Sequence, residues 1–177
     1  MNIIQTDINP EKLNLLYEML NDVIIPKTNL TSKRVNNSEM RRICFGKVRY
    51  RFPKKTLNYK LQGESRFTKM YPEIYDELKL VINQIYPDFT YTTIQVNHNG
   101  IMDYHTDKNN MGDTVIISFG EYTGGNLVLK NGDVETQYDM NCSSIRFNAT
   151  TIPHKVNDDL VGNKYSLIYF TMSSFLD

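Results

Sequence analysis

The chain lacks most of the features that mark extracellular and membrane proteins. Of its 177 residues only Cys44 and Cys142 are cysteines. They form no CxxC pair and no secreted disulfide framework, so a reduced compartment is the simple reading. No apolar run approaches the ~20 residues that cross a bilayer. The opening MNIIQTDINPEKLN is polar and acidic, unlike a secretory leader. A soluble, intracellular protein (cytoplasmic or nuclear) with no membrane partner is therefore expected. No internal repeat or low-complexity stretch is evident. Net charge is also missing, with 20 basic residues against 20 acidic ones.

That zero hides a segregation. From Lys27 to Lys69 there are 13 Lys or Arg and two acids, Glu39 and Glu64, a balance of +11. The remainder carries the opposite balance. Either the two parts neutralise each other on packing, or the basic stretch offers a polyanion a surface. Length favours one domain, large enough to bury a core unaided.

Residues 10–24 place apolar side chains at 13, 16, 20 and 23, the spacing of an amphipathic helix, with Pro10 suited to its first turn. Residues 26–42 are polar and read as loop. ICFGKVRYRF (43–52) reads as a strand or strand pair broken near Gly46. Residues 71–87 read as a second helix, opened by Pro72 and closed by Pro87. Beyond Pro87 the texture changes to short β-branched or aromatic runs separated by Gly, Asn and Asp: FTYTTIQV, DTVIISF, NLVL, SIRF and KYSLIYFTM. Such a series suggests a sandwich, barrel or jelly roll. The expectation is an α+β domain spanning 1–177, with a helical and basic support region (1–90) ahead of a β-core (91–177).

Histidine is scarce, only His98, His105 and His154. His105-Thr106-Asp107 puts an imidazole and a carboxylate two residues apart, which in a strand is one face. Chance alone supplies an HxD in roughly one such sequence in five, and a surface pair is the plain alternative. His154 lies past an intervening series of strands. Two histidines and one carboxylate leave metal positions open, the facial arrangement that suits non-haem Fe(II) and its co-substrates. The same ligands could hold zinc with a water in the fourth position. Ten residues after His154 comes Lys164, with Ser166 beyond it. On a strand they share a face, and a cation with a hydroxyl suits a carboxylate tail. A lysine at a strand start is otherwise an ordinary solvated residue.

Taken together, HxD, distal His, and Lys followed by a hydroxyl residue resemble the 2-oxoglutarate/Fe(II) dioxygenase superfamily over about residues 91–170. The resemblance implies a double-stranded β-helix (jelly-roll) core with supporting N-terminal helices. It implies Fe(II) held by His105, Asp107 and His154, and 2-oxoglutarate and O2 as co-substrates. Lys164 and Ser166 would hold the 2-oxoglutarate tail. Lysine at this place is more like the prolyl-hydroxylase branch, since many nucleic-acid members have arginine. A narrower likeness, to the TET and J-base thymine hydroxylase branch, runs through QVNHN (95–99), HTDKNNMG (105–112) and GEYTGGNL (120–127). It implies oxidation of a pyrimidine methyl group, with Asn110 contacting the base and Asn97 and Asn99 near the co-substrate. Gly124-Gly125 and the asparagines could equally serve tight turns.

Two substrate classes follow. DNA or RNA would bind through the 27–69 segment, with Lys47, Arg49, Arg51, Lys54 and Lys55 on phosphates. A base inside a duplex would have to be flipped out. Tyr50, Phe52 and Tyr59 could stack on bases or belong to the core. A protein or peptide substrate, hydroxylated on Pro, Lys or Asn, is the alternative. A non-catalytic or zinc-bound binding domain is the third. Should Lys164 not be the clamp, Arg146 is the next cation.

Overall fold

The computed structural model describes residues 3–27, 40–49 and 62–173. Arg51, Lys54, Lys55, Tyr50, Phe52 and Tyr59 lie outside the described residues.

Two sheets face each other. The larger has seven strands in the order β1 (Ile4–Asp7), β9 (Ser143–Phe147), β6 (Asn110–Thr123), β11 (Val161–Met172), β4 (Thr93–His98), β2 (Arg41–Arg49) and β3 (Gln62–Glu64). The smaller has β5 (Met102–His105), β10 (His154–Val156), β7 (Leu127–Asn131) and β8 (Val134–Tyr138). The ladder pairings are antiparallel, as in a jelly roll. Outside the larger sheet lie the helices α1 (Glu11–Asn21), α2 (Arg66–Met70) and α3 (Pro72–Ile85).

The period-2 pattern of the central strands separates two apolar clusters. Val115, Ile117 and Phe119 of β6 and Tyr165, Leu167 and Tyr169 of β11 face the helices. They pack with Leu13, Leu16 and Leu20 of α1 and Ile74, Leu78, Val81 and Ile82 of α3. The α1 residues are positions read from the sequence, and the α3 residues follow the same i, i+4, i+7, i+8 helical spacing. The Tyr169 hydroxyl donates to Leu78 O at 2.8 Å, fixing β11 to α3. Between the sheets, Leu127, Leu129, Ile145, Phe147 and Ile152 form the second cluster. Ile116, Ser118, Lys164 and Ser166 therefore point inward, toward the smaller sheet.

Several expectations are corrected. The chain before residue 91 is not only support: β1, β2 and β3 join the larger sheet. Arg41 and Arg42, read as loop, open β2. Gly46 does not end the strand. It takes φ +76°, where a Cβ would sit 2.6 Å from Thr92 O, so only glycine lets β2 approach there. Arg146 is on the helix side of β9, paired through Nε with Asp113 at 2.8 Å, and so cannot back up Lys164. Its register partner Val115 is in the helix-side core, which fixes that direction.

Candidate metal centre

The histidines meet across a strand pair. His154 of β10 is the register partner of His105 of β5, so their rings stand 4.2 Å apart, centroid to centroid. β5 ends at His105. Asp107 therefore is not on the same strand face, as the HxD spacing suggested, but in the following turn. There its N–H donates to Ala149 O at 2.9 Å, and its carbonyl accepts the Asn110 N–H at 2.9 Å. The turn returns the carboxylate toward both rings, with Oδ1 3.8 Å from His105 Nε2 and Oδ2 4.0 Å from His154 Nε2. One ligand atom from each of the three residues lies within 4.8 Å of the others.

The tautomers follow from the partners. His105 Nδ1 is 2.7 Å from Asp103 O, and His154 Nδ1 is 3.0 Å from Ile152 O. A carbonyl can only accept, so both Nδ1 atoms carry the proton and both Nε2 atoms present a lone pair. Those lone pairs belong to the atoms facing Asp107, as a metal requires. Phe147 packs edge-on to the His154 ring at 5.3 Å. A cavity of about 370 Å³ opens beside the cluster, lined by Tyr104, His105, Thr106, Lys108 and Pro153.

Deeper between the sheets, Lys164 is 3% exposed. Its ammonium donates to Gly125 O at 2.5 Å and lies 5.2 Å from the centre of the Tyr122 ring. Burial pushes its pKa down to about 8, against the pull of Asp139 and Asp159. Neither acid is in ion-pair contact with it. Asp159 Oδ1 instead takes the Gly125 N–H at 2.7 Å, and Asp139 Oδ1 takes the Asn141 N–H at 3.0 Å. A buried cation without a paired anion is costly unless a ligand completes it. Ser166, one step along the same face, shares a 2.9 Å hydrogen bond with Ser118.

The remaining expected residues separate by role. Asn97 is buried on the inward face, opposite Ser166, and accepts from Gln95 Nε2 at 2.9 Å. Asn99 has φ +51°, and its Oδ1 accepts the Lys164 N–H at 2.8 Å, so it orders the start of β11. Asn110 opens β6, and its side-chain amide donates to Asp107 Oδ2 at 3.4 Å. Lys47 is exposed and Arg49 half-buried, both on β2 where it pairs with β3. Sequence reasoning missed Tyr122. Its hydroxyl is one of two buried side-chain polar atoms with no hydrogen-bond partner among the described residues. Burial pushes its pKa upward, helped by the nearby Asp139. The available signal was its position two residues after Gly120, the register partner of Lys164.

Two imidazoles and a carboxylate converging between paired strands and a turn have the geometry of a 2-His-1-carboxylate metal centre. The sequence matches no known family profile and no curated protein. Solved structures do match. The chain is similar to NgTET1 in complex with 5mC DNA, at 12% identity and a TM-score of 0.61 over 97% of this chain and 72% of that one. It is similar to an oxidoreductase of the 2OG-Fe(II) oxygenase family from Burkholderia pseudomallei, at 14% identity and 0.59 over 95% and 84%. A Trichoplax adhaerens prolyl hydroxylase bound to a hypoxia inducible factor peptide gives 12% identity and 0.60 over 98% and 84%. The chain therefore has the fold of the 2-oxoglutarate/Fe(II) oxygenases. Among the described residues no helix is long and apolar enough to cross a membrane.

Proposed function

We propose that the chain is an Fe(II)- and 2-oxoglutarate-dependent dioxygenase that hydroxylates a nucleic-acid base at a pyrimidine methyl group. The observation that carries the reaction class is the His105–Asp107–His154 cluster on the smaller sheet together with a buried ammonium, without a paired anion, on the inward face of the larger sheet opposite. A site for zinc and water alone has no use for that ammonium. A dicarboxylate co-substrate does: one end reaches the metal while the other meets Lys164.

Each residue then has a task. His105, Asp107 and His154 would hold the iron, with Asp103 O and Ile152 O fixing the ring orientations. The bound iron would supply the activation of O2 that no side chain can provide. Lys164 neutralises the distal carboxylate, and the Tyr122 hydroxyl gains the partner it lacks. Phe147 and the inward apolar cluster keep water from the reacting end.

The substrate part rests on the TET-like segments at 95–99, 105–112 and 120–127 and on the basic balance of 27–69. A base held near the metal would be flipped out or taken from a single strand. The experiment is to supply Fe(II), O2 and 2-oxoglutarate with methylpyrimidine oligonucleotides or with proline-containing peptides. The expected result is succinate formed in step with one added oxygen on the nucleoside. Succinate coupled to peptide hydroxylation, with untouched nucleosides, would transfer the activity to the protein-hydroxylase reading. No succinate with either would remove the reaction class.

A further inference from the structure

We propose that the outer face of the four-stranded sheet, together with the cavity rim beside His105, binds phosphate and holds the backbone of a single nucleic-acid strand. This extends the substrate reading above and locates the contact away from the 27–69 segment.

The alternation that turns His105 and His154 inward turns their neighbours Tyr104 and Lys155 outward. Lys155 pairs in register with Val128, and two residues along β7 from Val128 is Lys130, on the same face. The exposed Tyr104 ring gathers both ammonium groups, Lys155 Nζ at 5.0 Å and Lys130 Nζ at 5.9 Å from its centroid. Val128, between them on the same face, is only 4% exposed. Lys108 lies at the rim of the adjoining cavity. Among the described residues none of these three lysines is in an ion pair. Glu135, the register partner of Lys130, shares this face near the Tyr104 hydroxyl, and the three lysines outnumber it.

Gathering like charges on one ring leaves a repulsion that a bound anion relieves. The location couples that anion to the chemistry. β5 is the edge strand of its sheet. The cavity wraps that edge, since its lining includes both outward Tyr104 and inward His105. A strand crossing the edge leaves phosphates on Lys130, Lys155 and Lys108 while one unstacked base turns inward. Lysines spaced around a ring fit a run of phosphates better than one carboxylate.

The test uses a fluorescent single-stranded oligonucleotide and anisotropy titrations across a salt series. Single-strand binding loses about 0.7 in log–log salt slope per phosphate contact. The double variant Lys130→Gln/Lys155→Gln should lose about 1.4 from that slope and bind about tenfold more weakly at low salt. Lys130→Arg/Lys155→Arg should retain the slope. Calorimetric binding of 2-oxoglutarate, which does not involve these lysines, is measured on the same proteins. A Gln variant with wild-type slope and affinity overturns the surface, as does a wild type that binds 2-oxoglutarate but no oligonucleotide. Lysine-dependent oligonucleotide binding without 2-oxoglutarate binding would uphold the surface while sinking the oxygenase reading.

Discussion

Raising the pH from 7 to 9 should weaken 2-oxoglutarate binding about tenfold, through one side chain. Lys164 is 3% exposed, and burial brings its pKa from 10.5 to about 8. At pH 7 roughly nine in ten molecules carry the ammonium, and at pH 9 roughly one in ten. Only the charged form would neutralise the distal carboxylate in the proposed site, so affinity should fall with that fraction. The stability effect has the opposite sign. A lysine whose folded pKa lies below its unfolded value penalises the folded state wherever it is charged. That penalty is fully present below about pH 8 and is relieved as pH rises toward 10.5. The unliganded protein should thus become more stable over the window in which it loses co-substrate affinity. Lys164→Met removes both effects. It should bind 2-oxoglutarate at least ~30-fold more weakly at pH 7, the low end for deleting one partner of a buried charge pair. Its affinity should also be flat from pH 7 to 9. The assay is calorimetric titration of 2-oxoglutarate into Mn(II)-loaded protein at both pH values. Equal wild-type affinities at pH 7 and 9, with the Met variant binding normally, would refute the clamp.

Other substitutions separate the remaining roles. Tyr122→Phe deletes a buried hydroxyl without a partner, so the unliganded protein should gain about 1 kcal/mol in thermal denaturation. The same variant should bind 2-oxoglutarate about tenfold more weakly, from loss of a hydrogen bond to a charged group. Asn110→Ala should weaken metal binding about tenfold, because the amide steadies Asp107. Unchanged metal titration with a raised substrate KM would instead make it a base contact. Gly120→Ala should cost several kcal/mol of stability by denaturant titration, since its φ is +129° and a Cβ would lie 2.1 Å from Asn163 O. A midpoint shift under about 1 kcal/mol would contradict the close approach of β6 and β11.

What the sequence disclosed depended on periodicity. The helices α1 and α3 and the long strands β6 and β11 repeat their patterns often enough to be read, and with β11 came the shared face of Lys164 and Ser166; the five-residue α2 was too short to be read. β5 and β10, of four and three residues, are too short to show alternation. Their pairing, which brings His154 onto His105, had to come from the fold. Asp107 does meet the two histidines, but not by the strand spacing expected: the carboxylate reaches the rings through a turn anchored on Ala149. Tyr122 was hidden because a tyrosine in a β-rich run looks like core. Only the missing partner of its hydroxyl distinguishes it. Tyr104, Lys130 and Lys155 come from three strands of the smaller sheet, and no sequence window contains them together.

The central claim is that three side chains hold one ion with room for a co-substrate. Anaerobic calorimetric titration with Mn(II), in wild type and in Asp107→Ala, tests it most directly. The expected result is one ion per wild-type chain, a second binding step on adding 2-oxoglutarate, and loss of both in the variant. An Asp107→Ala protein that still takes up one ion at wild-type affinity would contradict the account.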